Sequence, residues 1–66
     1  MTKKEFKELW ESNDNAGGIT FQDIADCAIE WDITTSPYMS SIDEIRYSVL
    51  LDAGVNDAEY YNPTQQ

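Results

Sequence analysis

Thr20-Phe21-Gln22-Asp23-Ile24-Ala25-Asp26-Cys27-Ala28-Ile29-Glu30-Trp31 is the stretch on which the fold turns. Phe21, Ile24, Ala25, Ala28 and Trp31 recur at intervals of three and four, which sets them along one side of an α-helix with Cys27 and Ile29 flanking. Thr20 stands just before this run and Asp23 three residues later, the spacing at which a hydroxyl and a carboxylate each accept the other residue's backbone N–H. Cap and period agree on a helix from Phe21 to Trp31. The same start signal appears at Thr2 with Glu5, Ser41 with Glu44 and Asn56 with Glu59.

Toward the N-terminus, Phe6, Leu9 and Trp10 share one face of a helix spanning Lys3 to Ser12. Asn13 to Gly18, with Asp14, Asn15, Gly17 and Gly18, reads as a tight loop between the two helices. Toward the C-terminus, Ile33 to Ser40 holds two Thr, two Ser and Pro37 and reads as the longest connection. A third helix over Ile42 to Ala53 offers Ile42, Ile45, Val49 and Leu50 to the core, with Gly54 as its left-handed stop and Val55 folding back. A short helical turn at Asp57 to Tyr61 ends at Asn62-Pro63, and the polar Thr64-Gln65-Gln66 is expected to fray.

No stretch alternates apolar and polar residues long enough for a sheet. The expected fold is therefore all-α, a compact three-helix bundle with a short C-terminal helical turn, in one small domain over residues 1–66. A chain this short buries only about 60% of its unfolded surface. Its core is expected from Phe6, Leu9, Trp10, Phe21, Ile24, Ala28, Trp31, Ile45, Val49 and Leu50. With 41% apolar residues, two Trp and four Tyr, it is too rich in core formers for a disordered acidic tail.

Several chemistries are missing. Without histidine there is no Ser-His-Asp triad, Cys-His pair or imidazole metal site, and the single Cys27, among apolar neighbours in the second helix, reads as a small buried hydrophobe. Gly17-Gly18 is followed by Ile-Thr and does not make a phosphate-binding loop. An enzyme is not expected, nor any catalytic residue or cofactor. One cysteine, no apolar signal-peptide stretch and no long apolar run point to a cytoplasmic protein without a membrane span.

Charge carries the functional signal. Thirteen carboxylates face four basic side chains, and three of those, Lys3, Lys4 and Lys7, lie in the first seven residues; from residue 8 onward Arg46 stands alone. Such a surface disfavours direct contact with nucleic acid or anionic membrane and suits a basic surface of another macromolecule. Asp23, Asp26 and Glu30 form a stripe opposite the apolar side of the second helix, spaced about 4.5 to 6 Å along the axis, comparable to backbone phosphates. Asp32, Asp43 and Asp52 complete the expected partner-binding set. The lysines, gathered at the far end of the chain, need not neutralise this face.

In size and charge the chain resembles the small acidic DNA-mimic inhibitors of phages and mobile elements, with no motif carrying the likeness. The resemblance implies an inhibitor or regulator that docks on a nucleic-acid-binding protein. A second reading is a structural or homo-oligomeric module joined through Tyr38, Met39, Tyr60 and Tyr61, tyrosine and methionine being adaptable contact residues. Ser12 to Asp23 also resembles a degenerate EF-hand loop, with Gly17, Ile19 and Asp23 at the turn, hydrophobic and last-ligand positions. Ser12 and Ala16 at positions one and five leave too few oxygen ligands, and no metal ligands are assigned.

Overall fold

The computed structural model describes residues 1–12, 18–37 and 41–65 and contains three α-helices, α1 (Lys3–Glu11), α2 (Phe21–Glu30) and α3 (Ile42–Ala53). Two 3-10 turns follow, Ala58–Tyr61 and Pro63–Gln65. The fold is the all-α bundle expected from the sequence, and no strand occurs among the described residues. Of the expected loop, residues 13–17 lie outside the described set.

α3 is the central element, packed against α2, α1 and both C-terminal turns, whereas α1 and α2 meet through side chains. Their junction is aromatic: Phe6 stacks on Trp10 at 5.8 Å between ring centroids and meets Trp31 edge-on at 5.5 Å. Phe6, Val49 and Leu50 are fully buried, and Ile24, Ala28 and Ile45 close around them. Phe21 and Trp31 lie half-buried against this cluster. Leu9, expected in the core, is instead 37% exposed, and Ile42, in the first turn of α3, is 55% exposed. Val55 and Ala58 bury themselves as the chain folds back after α3.

The helix boundaries have local causes. Thr2 and Thr20 both form complete capping boxes, each hydroxyl accepting the third residue's N–H while the Glu5 or Asp23 carboxylate accepts the cap N–H. Ser41 makes no such side-chain bond, and the turn at Ala58 is preceded by Asp57 with no side-chain cap. The Ser41–Glu44 and Asn56–Glu59 boxes are therefore absent. Glu59 is drawn to the Tyr47 hydroxyl, and the Asn56 N–H to Glu11, so tertiary partners outbid the local ones.

α3 ends as expected. Gly54 adopts φ 77°, its N–H reaches Leu51 O, and the Val55 N–H returns to Leu50 O at 3.1 Å, the paired bonds of a Schellman motif. α2 ends the same way with a less usual residue. Asp32 takes φ 62°, its N–H bonds Ile29 O, and the Ile33 N–H bonds Ala28 O at 2.9 Å. After Asn62 a second 3-10 turn covers Pro63–Gln65, where Asn62 Oδ1 accepts both the N–H and the hydroxyl of Thr64; Gln66, the last residue of the tail expected to fray, lies outside the described residues.

Candidate functional site

The outer side of α2 carries Gln22, Asp26, Ile29 and Glu30, all exposed, because the opposite side is taken by Ile24, Ala25, Cys27 and Ala28. Asp26 accepts from the Gln22 amide at 3.0 Å. Asp23 belongs less to this face: it is half-buried, and its carboxylate is committed to the Thr20 N–H. Glu30 receives the amino-terminal ammonium at 3.3 Å, an ion pair that raises the amine's pKa, chiefly through this hydrogen bond.

Asp32 sits at the left-handed position that ends α2. Asp43 pairs with Arg46 at 3.0 Å within α3, and Asp52 pairs with Lys3 at 2.9 Å. Asp43 and Asp52 are nine positions apart, which puts them on opposite sides of α3. The six sequence-derived contact residues thus divide into an α2 group and two separated α3 positions.

The basic N-terminus reaches the acidic helices, through the Met1 amine at Glu30 and Lys3 at Asp52. The Trp31 indole N–H donates to Met1 O at 3.2 Å, laying the start of α1 over the end of α2, and Lys3 lies 5.9 Å from the Trp31 ring centroid. Lys7 pairs with Glu11 at 2.9 Å, and Glu11 also accepts the Asn56 N–H at 2.8 Å. That backbone bond, with Lys7 second, holds the Glu11 carboxyl below its ordinary pKa; the Thr2 backbone does the same for Glu5. Among the described residues, Glu8, Asp26, Asp32, Glu44, Asp57 and Glu59 have no cationic group at ion-pairing distance.

Of the tyrosine and methionine set, Tyr38 and Met39 lie outside the described residues. Tyr60 is 82% exposed, whereas Tyr61 is half-buried, edge-on to Trp10 at 5.5 Å. Tyr47 donates to Glu59 at 2.6 Å, a bond to the neutral phenol that raises its pKa. Cys27 is buried, and desolvation pushes its thiol up, away from the reactive thiolate. Residues 13–17 of the EF-hand-like loop lie outside the described residues, and its last position, Asp23, serves the α2 cap. Among the described residues no group of three or more acidic or cysteine side chains is arranged to hold a metal ion.

Sequence reasoning missed the surroundings of Arg46. Trp10 of α1, Phe21 and Ile24 of α2, Ile42 and Arg46 of α3, and Tyr61 line a groove of about 310 Å³. A neighbouring notch is bounded by Asp43, Tyr60 and Pro63 and shares Arg46 and Tyr61 with the groove. The guanidinium lies 5.2 Å from the Tyr61 ring centroid, while its Nε is buried without a hydrogen-bond acceptor. A buried donor in that state costs about 1–3 kcal/mol. The isolation of Arg46 in an acidic chain was the available signal; the ring beside it depends on the C-terminal return.

No protein-family model, curated protein or solved structure matches this chain. No helix among the described residues is long and apolar enough to cross a membrane.

Proposed function

We propose that this chain is a non-enzymatic cytoplasmic binding protein whose anionic surface docks on a basic patch of a nucleic-acid-binding protein, blocking or regulating it as a DNA mimic does. The observation that carries this reading is the one-sided use of charge. Lys3, Lys7 and Arg46 are each already bound to a carboxylate, and exposed Asp26, Asp32, Glu44 and Asp57 lie outside any such pair. Ordinary solvated helices offset like charges with partners one turn away; here the repulsion is left for an incoming cationic surface to relieve.

The test is capture of partners by the immobilised chain at about 0.05 M and about 1 M salt, where the screening length falls from more than 10 Å to about 3 Å. The expected result is a basic, nucleic-acid-binding partner retained at low salt, released at high salt and lost with the double variant Asp26→Lys/Glu30→Lys. Recovery of no basic partner at low salt overturns the reading.

Tyr60, exposed beside the Arg46 notch, favours a second reading, a homo-oligomer whose acidity serves solubility. A dimer that survives high salt and weakens with Tyr60→Ala supports that alternative; a monomer at all salt concentrations removes it.

A further inference from the structure

The groove between α1, α2 and Tyr61 combines features that an acidic surface alone lacks. At about 310 Å³ it lies at the lower edge of ligand-pocket sizes, which suits one side chain better than a whole organic cofactor. Trp10, Phe21, Ile24 and Tyr61 give it aromatic and aliphatic walls, and Ile42 stands at its margin with more than half its surface exposed. Arg46 supplies a polar element of defined direction. Its Nη2 is held by Asp43 and its Cζ lies over the Tyr61 ring, while the buried Nε–H is a donor without an acceptor. Asp43 itself remains exposed beside the groove, its side chain 62% accessible.

We infer that this groove is the anchor site for the partner: it takes a single aromatic side chain from a segment in which lysines or arginines flank that residue. The inference rests on the partner-binding reading above and adds where the affinity resides. The apolar side chain fills the groove, a backbone carbonyl of the segment accepts from Arg46 Nε–H, and a flanking cation meets Asp43. Buried anchors surrounded by a polar rim supply most of the energy in protein interfaces, whereas exposed charges mainly set encounter rate and specificity. Charge complementarity selects the occupant. A second copy of this chain brings another net charge of −9 to the same surface, and a basic segment brings the opposite sign.

The test uses the full chain and two capped pentapeptides, Lys-Lys-Phe-Lys-Lys and Lys-Lys-Ala-Lys-Lys, titrated by amide NMR at low salt. The phenylalanine peptide is expected to bind about tenfold more tightly, the increment for burying much of one aromatic side chain, with shifts centred on Phe21, Ile42 and Tyr61. Ile42→Ser, at an exposed position of the groove, is expected to abolish that preference. Leu51→Ser, exposed on the opposite side of α3, is expected to retain the preference.

Equal affinity of the two peptides, or a preference that survives Ile42→Ser, overturns the anchor site. If that equal binding is salt-sensitive, the acidic-surface reading stands without the groove; binding of neither peptide removes both. Groove shifts that depend on protein concentration alone assign the site to a second copy and also overturn the inference.

Discussion

Two regions of this molecule use similar residues to opposite ends. At the N-terminal edge, the Met1 amine, Lys3 and Lys7 each hold a carboxylate, and the Glu30 and Asp52 pairs join α1 and its preceding residues to α2 and α3. Along the rest of the outer side of α2, away from the Met1–Glu30 pair, and at the start of α3, Arg46 is the only cation in an ion pair among the described residues. It serves Asp43 within its own helix, while Asp26, Asp32 and Glu44 stand without a cation. Acidic side chains become tethers where a base is near and a field directed into solvent where none is. The chain's total charge therefore overstates how many carboxylates await a partner.

The largest expected effect asks what holds the tethered edge. Phe6 is fully buried between Trp10 and Trp31, whereas the ion pairs around it are exposed, and exposed pairs contribute little to stability. Phe6→Ala is expected to cost about 3–5 kcal/mol by denaturant unfolding. A domain of this length has only about 3–10 kcal/mol in total, so the variant approaches complete unfolding. If Lys3→Ala costs as much as Phe6→Ala, the edge is held by charge and the comparison between the regions must be redrawn.

Next in size is a pair of cap variants that sorts the carboxylates between the two groups. Thr20→Ala removes a hydroxyl that accepts the Asp23 N–H and is expected to cost about 1 kcal/mol, whereas Ser41→Ala, which loses no side-chain cap bond, is expected to lie within about 0.5 kcal/mol of the parent. Matched thermal or denaturant unfolding curves measure both. A loss at Ser41 equal to that at Thr20 would return Glu44 to helix capping and remove it from the outward-facing set.

These caps also mark how far the sequence could be read. All three helices lie within a residue of the spans given by their apolar periods, because Phe21 to Ala28, or Ile45 to Leu50, carry both the period and the burial locally. Leu9 fits the same period yet is exposed. Which side of α1 is covered depends on Trp31 and Tyr61, which pack on Phe6 and Trp10 from distant parts of the chain. The candidate site was less legible for the same reason. Met1 and Glu30 are 29 positions apart and Glu11 and Asn56 are 45 apart, so the partners of these carboxylates are set by the return of the chain rather than by spacing along it. Arg46 was visible as an isolated cation, but not as the wall of an aromatic groove.

Asp32 belongs to both regions, as an unpaired acid and as the residue that ends α2. Its φ of 62° lies in the left-handed region where a Cβ is unfavourable, and the Schellman bonds around it use backbone atoms alone. Asp32→Gly is expected to stabilise the chain by about 0.5–1 kcal/mol while removing one negative charge. A stabilised variant with unchanged partner affinity makes Asp32 a structural residue; weaker binding despite greater stability keeps it in the anionic surface.

The smallest expected effect concerns the tether between the amino terminus and Glu30. Its hydrogen bond and charge raise the folded-state pKa of the amine above its ordinary value. Stability from this pair is fully present below the unfolded amine's pKa and is lost as pH rises through the folded one. Between about pH 7 and pH 9.5 the melting temperature of the parent chain is expected to decline more steeply than that of an N-terminally acetylated chain, which has no terminal amine to titrate. The Trp31 bond to Met1 O persists in both and keeps the segment in place, which isolates the charge. Parallel curves would show that even on the tethered side this pair adds no stability, leaving the indole hydrogen bond and Phe6 as what joins α1 to α2.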